Sequence, residues 1–298
     1  MIRSNLAFFA QHYYEEDSMH DRPYRSALYI PGSKDRALDK ARGLPVDVIL
    51  FDLEDAVAPD AKIAARDTLY AALADGGYGA RLKIVRINGL DTEWGAADAA
   101  AVAAMNCDAV LLPKVNSPED VDALAALVPD LPIWAMMETP QGILNAESIA
   151  KHPRIAGFVL GTNDLAKDLN SRTRAALMTS LQLCMLAAKA AGIVALDGVY
   201  NAFKDEDGLR AECEEGRDMG FDGKTLIHPA QVGIANAAFG PTEDEIDLAR
   251  RQIAAFEQAE AEGQGVAVVD GRIVENLHIV TARATLAKAD AIAALETT

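Results

Sequence analysis

Residues 133–164 read IWAMMETPQGILNAESIAKHPRIAGFVLGTND. Two short apolar runs in this stretch, IWAMM and GFVL, end abruptly in polar signatures, Glu138-Thr139-Pro140 and Gly161-Thr162-Asn163-Asp164. Continuous apolar runs of this length, separated by helical patterns, are the mark of buried parallel strands in successive βα units. Working outward, the same pattern recurs until there are eight. Upstream, SALYI runs into Pro31-Gly32-Ser33-Lys34, VILF into Asp52-Leu53-Glu54-Asp55, KIV into Arg86-Ile87-Asn88 and AVLL into Pro113-Lys114. Downstream, IVAL meets Asp197-Gly198 and KTLI meets His228-Pro229. Eight such units predict an α/β fold, a (β/α)8 TIM barrel, whose strand carboxyl ends converge on one mouth. The eight signatures then become neighbours, and the chemistry is expected there.

A chain of 298 residues with 50% apolar residues suits one barrel with a small addition. The formal net charge of -17 and pI near 4.7 repel polyphosphate backbones, so no nucleic-acid partner is expected. Local positive charge at Lys34, Arg36, Lys40 and Arg42 still suits a small phosphorylated ligand. Cys107, Cys184 and Cys213 are odd in number and lack metal-site spacing, which points to a reducing compartment. No run approaches the roughly 20 apolar residues of a membrane helix, and LAFFA followed by Glu15, Glu16 and Asp17 is not a secretory signal. A cytoplasmic location is the expectation. Residues 1–24 are read as an extension ahead of the first strand, poorly ordered over 1–18, with Met19 as a second plausible start.

The barrel is expected over residues 25–240. Its outer helices include 60–74 and 117–127, the latter with Ser117 as N-cap, Pro118 at the first position and Asp120 three on. Residues 241–298 depart from the pattern as helix, hairpin and helix: Thr242 and Glu245 form a capping box, Asp270-Gly271 is a two-residue hairpin turn, and an Ala-rich helix covers roughly 276–296. A lone hairpin buries little surface by itself, so it must dock on the barrel or on another subunit.

Glu138 and Asp164 stand one βα unit apart, so both carboxylates face one pocket. Two carboxylates without His or Cys make a hard oxygen site too small to close around an ion, which suits Mg2+ completed by water and substrate oxygens. The alternative for Asp164 is a helix cap. Asp52 and Glu54 share a face and Asp55 points away; Glu54 either hydrogen-bonds metal-bound water, or the cluster pairs with Lys62 or Arg66. Arg66 either reaches over the mouth to clamp a carboxylate or stays solvated. His228, at the top of the last strand, is an acid/base candidate or a structural residue. The Pro31-Gly32-Ser33-Lys34 turn offers backbone amides for phosphate.

Taken in order, RSALYIPGSKDRALDK, ILFDLEDAVAPDAKIAAR, VRINGLDT, LLPKV, METPQGILN, LGTNDLA, DGVYNAFKDEDGLR and GFDGKTLIHPAQV resemble the citrate lyase β-subunit-like branch of the HpcH/HpaI aldolase superfamily, over Arg25 to Ala294. The short connection after Asn163-Asp164 and the tail VAVVDGRIVENLHIVTA are most similar to the malyl-CoA thioesterases of that branch. The resemblance implies that Glu138 and Asp164 bind Mg2+, that Arg66 contacts the acyl carboxylate, and that Tyr29, Lys34 and Lys40 contact CoA. It implies that Asn163, Ile227 and His228 line the substrate. It also implies a homotrimer or homohexamer whose C-terminal segment covers a neighbour's site. The lyases usually carry an Asp where this tail has Glu275, and a shift of about 1 Å can cost a hundredfold in rate.

The activity expected is hydrolysis of a malyl-CoA-type thioester to malate and CoA, with Arg66 and Glu275 as catalytic residues. The alternatives are a CoA-ester lyase yielding an oxoacid and acetyl-CoA and, from another class, a non-catalytic acyl-CoA sensor on an inherited barrel.

Overall fold

The computed structural model describes residues 22–296; the expected disordered stretch and second start lie outside them. Eight parallel strands form a closed barrel in sequence order: β1 (Ser26–Pro31), β2 (Val48–Asp52), β3 (Leu82–Arg86), β4 (Ala109–Leu112), β5 (Ile133–Met137), β6 (Ile155–Leu160), β7 (Val194–Asp197) and β8 (Gly223–Leu226). β8 closes the ring by pairing with β1, Leu226 opposite Leu28. All eight expected strands are present.

Alternation sorts each strand into two cores. Ala27, Val48, Leu50, Ile84, Leu111 and Met136 point into the barrel, while Leu28, Ile49, Phe51, Val85 and Val110 face the helices. The interior is a packed core rather than a channel. Trp134 fills it, with its ring against Gly157, where an added Cβ would lie 2.6 Å from the indole. Tyr24 is buried, its ring centroid 5.9 Å from that of Trp134.

The outer helices are α1 (Asp35–Ala41), α2 (Lys62–Asp75), α3 (Gly95–Val102), α4 (Pro118–Ala125), α5 (Pro140–Leu144), α6 (Ala146–Ala150), α7 (Thr162–Asp168), α8 (Met178–Ala191), α9 (Glu206–Met219) and α10 (Val232–Phe239). The Ser117/Asp120 capping box forms as expected, and α4 stops two residues earlier than its apolar pattern. No helix among the described residues is long and apolar enough to cross a membrane.

Beyond the barrel come α11 (Glu243–Ala261), strands β9 (Ala267–Val269) and β10 (Arg272–Val274), and α12 (Asn276–Glu296). Thr242 and Glu245 cap α11 reciprocally. Asp270 and Gly271 both take positive φ, 49° and 74°, as a type I′ hairpin requires. Arg251 on α11 holds Asp270 with 2.8 Å bonds to both carboxylate oxygens. Ala267 and Val274 are buried in a satellite cluster with Phe256, Ala259 and Ile279. One face of the hairpin thus docks on the chain's own terminal helices, a partner the alternatives of barrel or neighbour left out. Its other face, Val268 and Ile273, is 66% and 61% exposed.

Candidate active site

The carboxyl ends of β2 to β6 converge on a charged cluster. Asp52, the last residue of β2, points inward by the same alternation that buries Val48 and Leu50. It accepts a bidentate pair from Arg86 at the end of β3, at 2.8 and 2.6 Å. Its oxygens also accept the backbone N–H groups of Glu54 and Ala56, which curls residues 52–56 back over the strand end. The partners expected for Asp52 were Lys62 or Arg66, and neither is used. Lys62 donates instead to the carbonyls of Leu53 and Glu54, and Arg66 pairs with Asp98. Arg86 wins because its own strand carries it inward beside Asp52, whereas Lys62 and Arg66 sit on the outer helix α2.

Arg86 also reaches Glu54 Oε2 at 2.9 Å, although without hydrogen-bond alignment, so that oxygen is buried and has no donor. The Arg86 guanidinium lies 4.7 Å over the Tyr29 ring, and the Tyr29 hydroxyl faces the Met136 sulfur at 3.9 Å. Tyr29 therefore points into the mouth of the barrel. Asp55 is exposed, as alternation predicts.

Glu138 follows β5 and is 1% exposed. Its Oε1 accepts the Lys114 backbone N–H at 2.8 Å. Lys114, after β4, takes a left-handed φ of 52°. The Lys114 ammonium lies 3.6 Å from Glu54 Oε1. Burial first, then the nearby charges of Glu54 and Asp164, push the Glu138 carboxyl up to about 8 against the pull of the Lys114 N–H. Burial likewise raises Glu54 despite Arg86. Partial desolvation lowers Lys114, and Glu54, Glu138 and Asp164 outweigh it to raise the group overall. Gly161, at the end of β6, has the side of its α-carbon pressed on Glu138: a Cβ there would lie 2.5 Å from Oε2. Asp164 lies in the first turn of α7, and no side-chain cap bond forms at that helix start. Its carboxylate accepts no backbone N–H of the turn, which removes the capping alternative.

These features fit a small hard cation. Buried carboxylates raise one another, an oxygen of Glu54 lacks a donor, and Gly161 leaves room for Glu138. Among the described residues no group of three or more His, Cys, Asp or Glu side chains is arranged for a metal. An ion at Glu138 and Asp164 would therefore depend on water and ligand oxygens, as Mg2+ commonly does.

The remaining expected residues fall around this cluster. Arg66 Nε and Nη2 both hold Asp98 Oδ1, at 2.8 and 2.7 Å. Asp98, fully buried on α3, also accepts the side-chain and backbone N–H groups of Asn88. Asn163 exchanges amide bonds with Asn201, tying the Asp164 turn to the loop after β7. His228 Nδ1 accepts the Ala230 N–H at 3.1 Å, capping a 3-10 turn (Pro229–Gln231), so a neutral ring carries its proton on Nε2. The ring packs on Phe203 at 4.7 Å, and Ile227 beside it is 41% exposed. Lys34 and Lys40 are exposed on α1 and its leading turn. That turn has fewer amides for phosphate than expected, because Gly32 N–H already donates to Asp52 O and Lys34 N–H to Pro31 O. Glu275 stands at the hairpin's end, where its N–H donates to His278 Nδ1.

Residues 25–229 match the HpcH/HpaI aldolase/citrate lyase family. The chain belongs to that family. Within it, a (3S)-malyl-CoA thioesterase of Cereibacter sphaeroides is 68% identical over 91% of this chain and 96% of its own length. An L-malyl-CoA/beta-methylmalyl-CoA lyase of the same organism is 33% identical over 92% and 96%. Among solved structures, the protein CitE of Mycobacterium tuberculosis in complex with magnesium, acetoacetate and coenzyme A superposes with a TM-score of 0.76 at 29% identity, covering 90% of this chain and 98% of that one. Magnesium thus occurs in structures of HpcH/HpaI aldolase/citrate lyase relatives.

Local sequence gives no role to four residues in or beside the cluster: Arg86, Lys114, Asp98 and Gly161. A signal existed for Asp98, the one charge in the helix GAADAAAV, since a lone acid among alanines implies a buried partner. Arg86 and Lys114 each ended an apolar run, but a strand-end cation reads equally well as solvated.

Proposed function

We propose that this chain is a Mg2+-dependent hydrolase of (3S)-malyl-CoA-type thioesters, releasing malate and CoA. The observation that carries the reading is the Glu138 carboxylate, buried beside Gly161, aimed by the Lys114 N–H and facing the charges of Glu54 and Asp164. The 68% identity to a (3S)-malyl-CoA thioesterase selects the substrate.

Glu138 and Asp164 would hold Mg2+, with Glu54 beside them as a hydrogen-bond acceptor. The ion supplies positive charge that orients the substrate's hydroxyl and carboxylate oxygens and offsets negative charge developing in the transition state. Arg66, locked by Asp98 through Nε and Nη2, keeps Nη1 for the same carboxylate. His228 donates through Nε2 at the mouth, beside the apolar edge of Ile227 and the amide of Asn163. Tyr29 closes the inner wall, and Lys34 and Lys40 meet the CoA phosphates. Water attacks the thioester carbonyl carbon as a general base takes its proton, the carbon–sulfur bond breaks, and the CoA sulfur leaves with a proton.

Glu275 is the base in this reading, and it comes from another copy. Within one chain it lies on a hairpin packed against α11 and α12. The exposed Val268 and Ile273 give that hairpin a face to set on a neighbour, in a trimer or hexamer. The free, buried Cys184 and Cys213, with thiols pushed up by burial to about 12 and about 11, accord with a cytoplasmic location.

The second reading is carbon–carbon cleavage, favoured by the 33% identity to a malyl-CoA lyase across nearly the whole chain. One assay separates the two. With malyl-CoA and Mg2+, the hydrolase releases free thiol without glyoxylate; glyoxylate and acetyl-CoA at matching rates assign the lyase. Glu138→Ala or Asp164→Ala should remove turnover together with its metal dependence, and full activity in chelator would overturn the metal assignment.

A further inference from the structure

Among the described residues three that are not glycine take positive φ: Lys114, Asn170 and Asp270. Asn and Asp enter that region readily, and these two sit at a helix end and a hairpin turn. Lysine has no such ease. What the backbone achieves at Lys114 is the N–H bond to Glu138, and glycine would donate the same N–H without strain. Strained backbone that persists at a functional site is held by its surroundings for a reason. The reason must lie in the side chain.

That side chain ends 3.6 Å from Glu54 Oε1, in a loose ion pair, and is 55% exposed. Arg86, by contrast, is forked onto Asp52, contacts Glu54 and is 7% exposed, so it cannot leave. A lysine is a compact charge on a flexible stem, able to swing away where a guanidinium fork is fixed. We propose that Lys114 is the resident cation of the carboxylate cluster: its ammonium, paired with Glu54, sits against the Glu138 and Asp164 site in the metal-free protein, and a divalent ion must displace it to enter. Lys114 is thereby a positioning residue twice over, aiming Glu138 through its N–H and setting metal affinity through its charge. The inference rests on the reading that Glu138 and Asp164 hold Mg2+.

Calorimetric titration of MgCl2 into the metal-free full-length protein, without substrate, tests it. Lys114→Met removes the charge, Lys114→Gly removes charge and strain while keeping the N–H, and Lys114→Arg keeps a positive charge. Losing one competing charge at this distance should tighten Mg2+ binding roughly tenfold in the Met and Gly variants, whereas the Arg variant, which keeps the charge, should bind no more tightly than wild type. The Gly variant stands in should Met at a left-handed position fail to fold. Affinities within twofold of wild type, or weaker, in the variants lacking the charge overturn the competing-cation role while leaving the metal site intact. Absence of Mg2+ binding in wild type and every variant overturns both readings.

Discussion

At the scale of the residue, the site is a set of charges arranged so that none is comfortable alone. Glu138 carries the clearest consequence. Its carboxyl is raised from 4.5 to about 8 in the folded protein, so the native state binds more protons than the unfolded chain across that interval. Stability of the metal-free protein therefore falls as pH rises from about 4.5 towards 8, and Glu54, raised in the same direction, adds to the slope. Melting temperatures in chelator across this range should show the decline. Glu138→Gln should flatten it; an unchanged slope in that variant would falsify the assignment. Gly161→Ala is a second probe, since its methyl would press on the Glu138 carboxylate. The expected cost is about 1–3 kcal/mol from overpacking, seen as a lower melting temperature together with weakened Mg2+ binding.

At the scale of the element, strand and helix ends place the chemistry. The turn after β2 is shaped by Asp52, which accepts two backbone N–H groups and Arg86 at once. The Asn163–Asn201 pair ties the start of α7 to the next loop, so the Asp164 turn is braced from outside the carboxylate cluster. The C-terminal elements are independent of this bracing. Thr242→Ala removes the cap of α11 and should cost about 1 kcal/mol. Thermal unfolding measures that cost. Mg2+ affinity should stay at the wild-type value in the same variant, because α11 contributes nothing to the carboxylate cluster.

At the scale of the whole molecule, the barrel carries the carboxylate cluster at one mouth and the hairpin packs its buried face on its own chain's terminal helices. If Glu275 serves a neighbour's mouth, each complete site draws on two chains. Glu138→Ala and Glu275→Ala, each inactive alone, should then regain activity when unfolded together and reassembled. Some mixed sites would pair an intact cluster with an intact hairpin, returning on the order of a quarter of wild-type turnover if chains mix at random. No recovery, with mixed oligomers demonstrated by mass, would place Glu275 outside the reaction.

The order of strands and helices, the capping boxes at Ser117 and Thr242 and the Asp270-Gly271 turn were all legible in the chain, because each depends on residues within a few positions of one another. So was the nearness of Asp164 to Glu138, since one βα unit of separation already places both at a shared end. Only the closed barrel decided which cation each acid meets. Asp52 takes Arg86, 34 residues away, over the nearer Lys62, and Asp98 takes Arg66 across two helices. Those choices depend on the direction in which a side chain leaves its strand or helix and on how little water remains around it. Neither is a property of local sequence: both come from the packing of one element against the next.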